Sequence, residues 1–163
     1  MAKIFFRSQG DYFEKLKQMQ EHFSSDEPIR RAVYAGADPV ANEIRRRIEA
    51  LPEESFRYLG PNEWFVGISP DQKQDLLNSF GLSKIRRSGA GLVSTKAGFD
   101  GYGSFPTAAY PNGLPNALLA RSIESGSSVR KKIPFVDPAV KATQEESIDA
   151  MGKSIEDDFK KIF

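Results

Sequence analysis

The segment Ile123–Val140, IESGSSVRKKIPFVDPAV, joins two kinds of sequence. Residues 117–123 before it, ALLARSI, read as a β-strand that ends on Glu124. Gly126 and its flanking serines make a flexible turn, and Arg130, Lys131 and Lys132 form a basic triplet. Asp137 is a candidate helix N-cap with Pro138 in the first turn. Ile148, Met151, Ile155, Phe159 and Ile162 then mark a buried helical stripe, while Glu145, Glu146, Asp149 and residues 156–158 make the outer face acidic. A carboxylate, a turn, three cations and a helix start packed this closely suit a surface that meets another surface.

Upstream, residues 81–87 (GLSKIRR) and 92–99 (LVSTKAGF) are separated by SGAG and predict a β-hairpin, with Val93, Thr95, Ala97 and Phe99 on one face. Residues 100–117, DGYGSFPTAAYPNGLPNA, form a long Gly/Pro/aromatic loop of a length that is usually functional or disordered. Its Tyr102, Phe105 and Tyr110 are the candidate subunit-contact anchors, because aromatics give large contact area at low entropic cost.

Pro28 opens a helix in which Ile29, Val33, Ala37, Val40, Ile44, Ile48 and Leu51 recur at helical spacing. Pro39 is expected to kink that helix or to restart it with Asp38 as cap. A first helix is expected over 12–23, capped by Asp11, and KIFFR at 3–7 reads as a short strand or part of an ordered arm. Residues 52–70 read as an irregular loop anchored by Phe56, Tyr58, Trp64 and Phe65, and Ser69-Pro70 starts a short helix stopped by Gly81. The whole chain, residues 1–163, reads as a single α+β domain. A small antiparallel sheet packs against long N-terminal and C-terminal helices, with a protruding loop at about 100–117.

Composition excludes several chemistries. There is no Cys, so disulfides, thiol nucleophiles and zinc–thiolate sites are absent. The reading that fits is folding in a reducing compartment. One histidine, His22, builds neither a multi-histidine metal site nor a His-based catalytic set. No Gly-rich phosphate loop with a following Lys-Ser/Thr and no G-x-S-x-G elbow occurs. Catalytic residues, cofactor sites and metal sites are therefore each read as none. No run approaches the ~20 apolar residues that span a bilayer. The formal net charge is +1, which is no general lure for nucleic acid, although Arg45, Arg46, Arg86 and Arg87 are candidate phosphate contacts if they converge in space.

In order and spacing, these segments resemble the tail-component proteins of long-tailed phages and prophages, variously called tail-completion or head–tail joining proteins. The resemblance is carried by AGADPVANEIRRRIEALP, DLLNSFGLSKI, KAGFDGYGSF and LLARSIESGSSVRKKIPFVDPAVKAT, and covers nearly the whole chain. Gly98, Phe99, Glu124, Gly126, Pro134, Phe135 and Pro138 fall on the motif positions; Ser127 stands where Thr is commoner, and Asp137 where a basic residue is frequent.

What the resemblance implies is a non-enzymatic structural virion protein that assembles into a ring, hexameric in the family, at the head–tail junction. Its partners would be tail-terminator, tail-tube or connector proteins, with passing contact with phage DNA and none with membrane. Its place would be the tail or neck of the virion, after a period in the host cytoplasm. A ring needs two different patches that meet; the basic triplet and the acidic last helix are the expected pair, with Glu124, Arg130, Lys131 and Lys132 among the contact residues. The alternative is a small nucleic-acid-binding protein using the Arg/Lys clusters.

Overall fold

The computed structural model describes residues 10–162. The elements are α1 (Gly10–Ser24), α2 (Glu27–Glu49), α3 (Pro70–Ser79), β1 (Phe80–Leu82), β2 (Arg86–Arg87), β3 (Val93–Ser94), β4 (Ala97–Phe99), α4 (Asn116–Ser125) and α5 (Val136–Lys160). The α+β class stands: helices dominate, and the strands form one small antiparallel set. The expectation for residues 3–7 lies outside the described residues. Asp11 lies inside α1 rather than at its cap.

The scaffold is the α2/α5 pair. Arg31 bonds to Asp158, Gly36 lies against Met151, and Ile44 and Ile48 share a core with Ala139, so the two helices run antiparallel. Their seam is made of small residues. Pro28, Ala32, Gly36 and Ala41 are buried on α2, and Ala139, Thr143 and Ser147 on α5. A Cβ on Gly36 would come within 2.5 Å of Met151 Cγ, so glycine sets the approach at that level.

This corrects two expected stripes. In the first half of α2 the buried row is 28/32/36, one residue earlier than 29/33/37, and Ile29 is exposed. In α5, Ile148 is 57 % exposed, because the close seam selects Thr143 and Ser147 instead. Pro39 does not end or restart α2, which runs unbroken through it.

The expected hairpin forms, but as two short ladders. Phe80↔Phe99, Gly81↔Gly98 and Leu82↔Ala97 pair in one, and Arg86↔Ser94 and Arg87↔Val93 in the other. Between them residues 83–85 face residues 95 and 96, a one-residue bulge that shifts the register. Ser83 bridges the gap: its N–H donates to the Lys96 carbonyl and its Oγ accepts from Lys96 N. Phe80, Phe99 and Phe135 stack in sequence and fasten the hairpin to the helices, with ring centroids 5.1 and 6.1 Å apart. The core behind them holds Ile44, Ile48, Leu51, Ile68, Leu76, Leu119 and Ile123.

Residues 117–123 are the main departure from the sequence reading. They are helical, within α4, rather than a strand. Ala117, Leu118, Leu119, Ala120 and Arg121 are strong helix formers. Leu119, Ala120 and Ile123 fall on one buried face at helical spacing. Asn116 and Ala117, assigned to the long loop, are the first residues of this helix.

At the far end of the pair, Asp158 is 2 % exposed and accepts from Arg31 Nη2 at 2.8 Å and Lys161 Nζ at 2.9 Å. His22 Nε2 lies 3.9 Å away, and Phe23 packs on Phe159, which docks the end of α1 there. Arg31 first, then Lys161, lower the Asp158 carboxyl from 3.8 to about 2. A depressed folded-state value means that the contribution to stability is complete above 3.8 and is lost as pH falls through about 2. Asp158→Asn should lower the melting temperature at neutral pH and flatten the stability–pH curve across this window, as followed by thermal unfolding in a pH series.

Candidate partner-docking groove

Segments distant in sequence build one apolar groove of about 690 Å³. Its walls come from the loop before α4 (Phe105, Tyr110, Leu114), the turn after it (Ser127–Arg130), the 52–70 segment (Phe56, Phe65) and α4 itself (Leu118, Leu119, Ser122). Phe105, Leu118 and Val129 are exposed, so the groove opens to solvent. Such a contiguous apolar trough with a few polar groups at its edges has the composition of a protein-contact or ligand surface.

The loop over 100–115 is folded on itself at its neck and projects beyond it. Gly103 N donates to the Leu114 carbonyl at 2.8 Å, and Asn116 N to the Gly101 carbonyl at 3.1 Å. Gly113 has φ +94°, and a Cβ there would collide with the Gly103 carbonyl, so this crossing requires glycine. Asp75 of α3 ties the loop to the body, accepting from Ser104 N at 2.8 Å and Ser104 Oγ at 2.5 Å. Residues 104–112 are exposed throughout, Tyr110 only at the margin. Tyr102 and Phe105 are well exposed, but only Phe105 and Tyr110 of the three expected anchors line the groove; Tyr102 pairs with Pro115 at the neck.

The 52–70 segment is held by a carboxylate more than by its aromatics. Glu54 Oε2 accepts from Val66 N at 2.6 Å and Gly67 N at 3.0 Å. These backbone donors, with Arg57 behind them, hold the Glu54 carboxyl below its ordinary range. Tyr58 is 96 % exposed and does not anchor the segment; Phe56, though exposed, packs edge-on against Phe65 with ring centroids 5.8 Å apart, and Phe65 is tied down by its backbone pairing with residues 129–131.

Arg130 is the residue that the basic triplet concealed. It is 7 % exposed and so is not an outward cation. Its guanidinium donates to the Gly67 carbonyl and, at 3.4 Å, to Gln72 Oε1, and lies 5.9 Å from the centre of the Phe65 ring. Phe65 N donates to the Val129 carbonyl and Lys131 N to the Phe65 carbonyl, both at 2.9 Å. Burial lowers the proton affinity of Arg130, and the field of Glu54 partly restores it. Lys131 and Lys132 are exposed, and among the described residues neither ammonium has an ion-pair partner.

Glu124 is not an outward contact residue either. Its carboxylate accepts from Phe135 N at 2.7 Å, Val136 N at 2.8 Å and Asp137 N at 3.1 Å. It caps α5 from the last turn of α4, where Asp137 was the expected cap; Asp137 instead accepts from Lys141.

The four candidate phosphate-contact arginines do not converge. Arg87 bonds to Asp26 at the start of α2, whereas Arg45 and Arg46 lie about 28 Å further along that helix, at 1.5 Å per residue. Arg45 lies 5.2 Å from the centre of the Phe80 ring, and Arg46 forms a two-bond pair with Glu43. Arg86 is exposed beside Arg87. Among the described residues no group of three or more His, Asp or Glu is placed to hold a metal, and no helix is long and apolar enough to cross a membrane.

Comparison of the chain with protein-family models, curated proteins and solved structures finds no match.

Two substitutions separate the structural members of this region. Glu124→Ala should cost about 2 kcal/mol in denaturant unfolding and Glu124→Gln about half of that, since the amide keeps one acceptor. Arg130→Met should cost about 2 kcal/mol, because it strips the Gly67 carbonyl of its donor, and should raise binding of an apolar dye at the loosened groove.

Proposed function

We propose that this chain is a non-enzymatic structural protein that joins or completes the tail of a long-tailed phage or prophage at the head–tail interface, working as a ring. The observation that carries this reading is the groove. The loop after the hairpin and the turn after α4, which bear two of the resembling motifs, meet in one exposed apolar surface. The tail-tube, tail-terminator and connector proteins of such a particle are the partners this surface would serve, and the virion neck is where it would act. Helix α4 stands where the resemblance implies a strand, so the support comes from the assembled surface and from the order of motifs along the chain.

The nucleic-acid alternative retains Arg86, with exposed Lys84 and Arg30 near the same end of α2. Removing the gene from its phage or prophage should yield full heads and tails that remain separate in negative-stain micrographs, with supplied protein restoring joined particles. Normal joined virions without the gene would sink the proposal. Strong salt-dependent DNA binding by the purified protein, with no effect on joining, would favour the alternative.

A further inference from the structure

The neck of the 100–115 loop gathers oxygens. A Cβ on Gly103 would stand 3.1 Å from Asp75 Oδ2, 3.4 Å from the Leu114 carbonyl oxygen and 3.6 Å from Asn116 Oδ1. These oxygens come from α3, from the returning arm of the loop and from the first residue of α4, and they converge on one point. All three are acceptors, and one belongs to a carboxylate. Among the described residues Asp75 has no ion-pair partner; its carboxylate accepts only from Ser104.

Asn116 is the second observation. It is 3 % exposed, and its Oδ1 has no hydrogen-bond partner. A buried acceptor left in this way costs stability. Turning the amide over does not help. Its Nδ2 donates to the Asp100 carbonyl at 3.1 Å, and the reversed amide would set its oxygen against that carbonyl. The other two oxygens keep acceptor capacity. The Leu114 carbonyl accepts from Gly103 N, and Asp75 Oδ2 accepts from Ser104 N, both at 2.8 Å. A water has only two hydrogens for these three acceptors and no charge to set against Asp75. One carboxylate, one amide oxygen and one backbone carbonyl in an irregular loop are the ligand types of a hard cation. The lack of Cys and of a second His bears on zinc and not on a site of this kind. Mg²⁺ demands near-ideal octahedral geometry, whereas Ca²⁺ accepts irregular sets of oxygens completed by water.

We infer that the loop neck binds a calcium ion through Asp75, the Leu114 carbonyl and Asn116, with Gly103 giving it room. A single carboxylate places the affinity at the weak end of calcium sites, with a Kd on the order of 10⁻⁴–10⁻³ M. The ion joins α3, the returning arm of the loop and the start of α4, so it stiffens the groove wall that carries Phe105 and Tyr110. This inference stands apart from the head–tail reading.

The test is calorimetric titration of the full chain with calcium chloride after dialysis against EDTA. Thermal melting runs alongside, with sodium chloride of matched ionic strength as the control. The wild type should bind calcium saturably at one site, and calcium should raise its melting temperature where sodium does not. Magnesium should bind at least about tenfold more weakly. Gly103→Ala is the decisive variant. Gly103 does not have a positive φ, so alanine suits its backbone, while the added methyl takes the ion's place and asks only the Asp75 carboxylate to give way. It should keep the wild-type circular dichroism, lose the calcium-dependent rise in melting temperature and bind at least about tenfold more weakly. Asp75→Asn, which removes the charge and keeps an acceptor for Ser104, should weaken binding as much, and it decides the matter if Gly103→Ala fails to fold. No saturable binding up to about 10 mM calcium, tenfold above the weak limit of the expected range, would overturn the inference. So would a folded Gly103→Ala or Asp75→Asn that binds like the wild type. An equal rise in melting temperature with methylammonium chloride would also overturn it, since the oxygens would then be reading an ammonium group and not a metal ion.

Discussion

The capture of the Phe135, Val136 and Asp137 amides at the start of α5 by Glu124 is the contact on which the rest of the molecule depends. Helix ends leave backbone donors without partners, and a carboxylate placed there answers both their hydrogen bonding and their partial charge. Here the carboxylate comes from a different helix, so one interaction caps α5 and fixes its start against the end of α4. The ten residues between Glu124 and Phe135 must then leave and return within a short span. Gly126, at φ +78°, lets the chain reverse, and Ile133 N donates back to the Ile123 carbonyl. That excursion places Phe135 in the core on Phe99, turns Arg130 inward and leaves Lys131 and Lys132 outside.

One set of charged side chains in this chain fastens backbone. Glu54 gathers the Val66 and Gly67 amides, Glu63 gathers Gly60 N, Asp75 gathers Ser104 N, and Arg130 answers the Gly67 carbonyl. Each occurs where the chain is irregular and cannot satisfy its own polar groups through a helix or a ladder. A near-neutral total charge thus hides ions that hold loops and helices in place.

Much of the fold was legible in the sequence because periodicity reports amphipathic elements directly. The courses of α2, α3 and α5, the hairpin turn and the start of α3 at Ser69-Pro70 all follow from spacing and capping residues. Ser69 and Gln72 form a reciprocal cap at that start.

What was misread has physical causes. ALLARSI is a short apolar run, ambiguous between strand and helix by pattern; its Ala, Leu and Arg content favoured helix, and the packing of Leu119 and Ile123 settled it. The buried rows of α2 and α5 were placed by residue size, whereas a close helix seam selects for smallness. Arg130 looked like its neighbours because a charge run does not reveal which member turns inward, and its acceptor lies 63 residues away. The groove escaped notice for the same reason: no local pattern links Phe65, Phe105 and Val129.

One level of the scaffold carries two omissions at once. Pro39 cannot donate to the Ala35 carbonyl, and Gly36, one residue further on, has no side chain with which to brace the turn. Bending of a 23-residue rod concentrates where its ladder is thinnest. At this level the support that the ladder lacks comes from the neighbouring helix, because Met151 of α5 fills the space that the missing Gly36 side chain leaves.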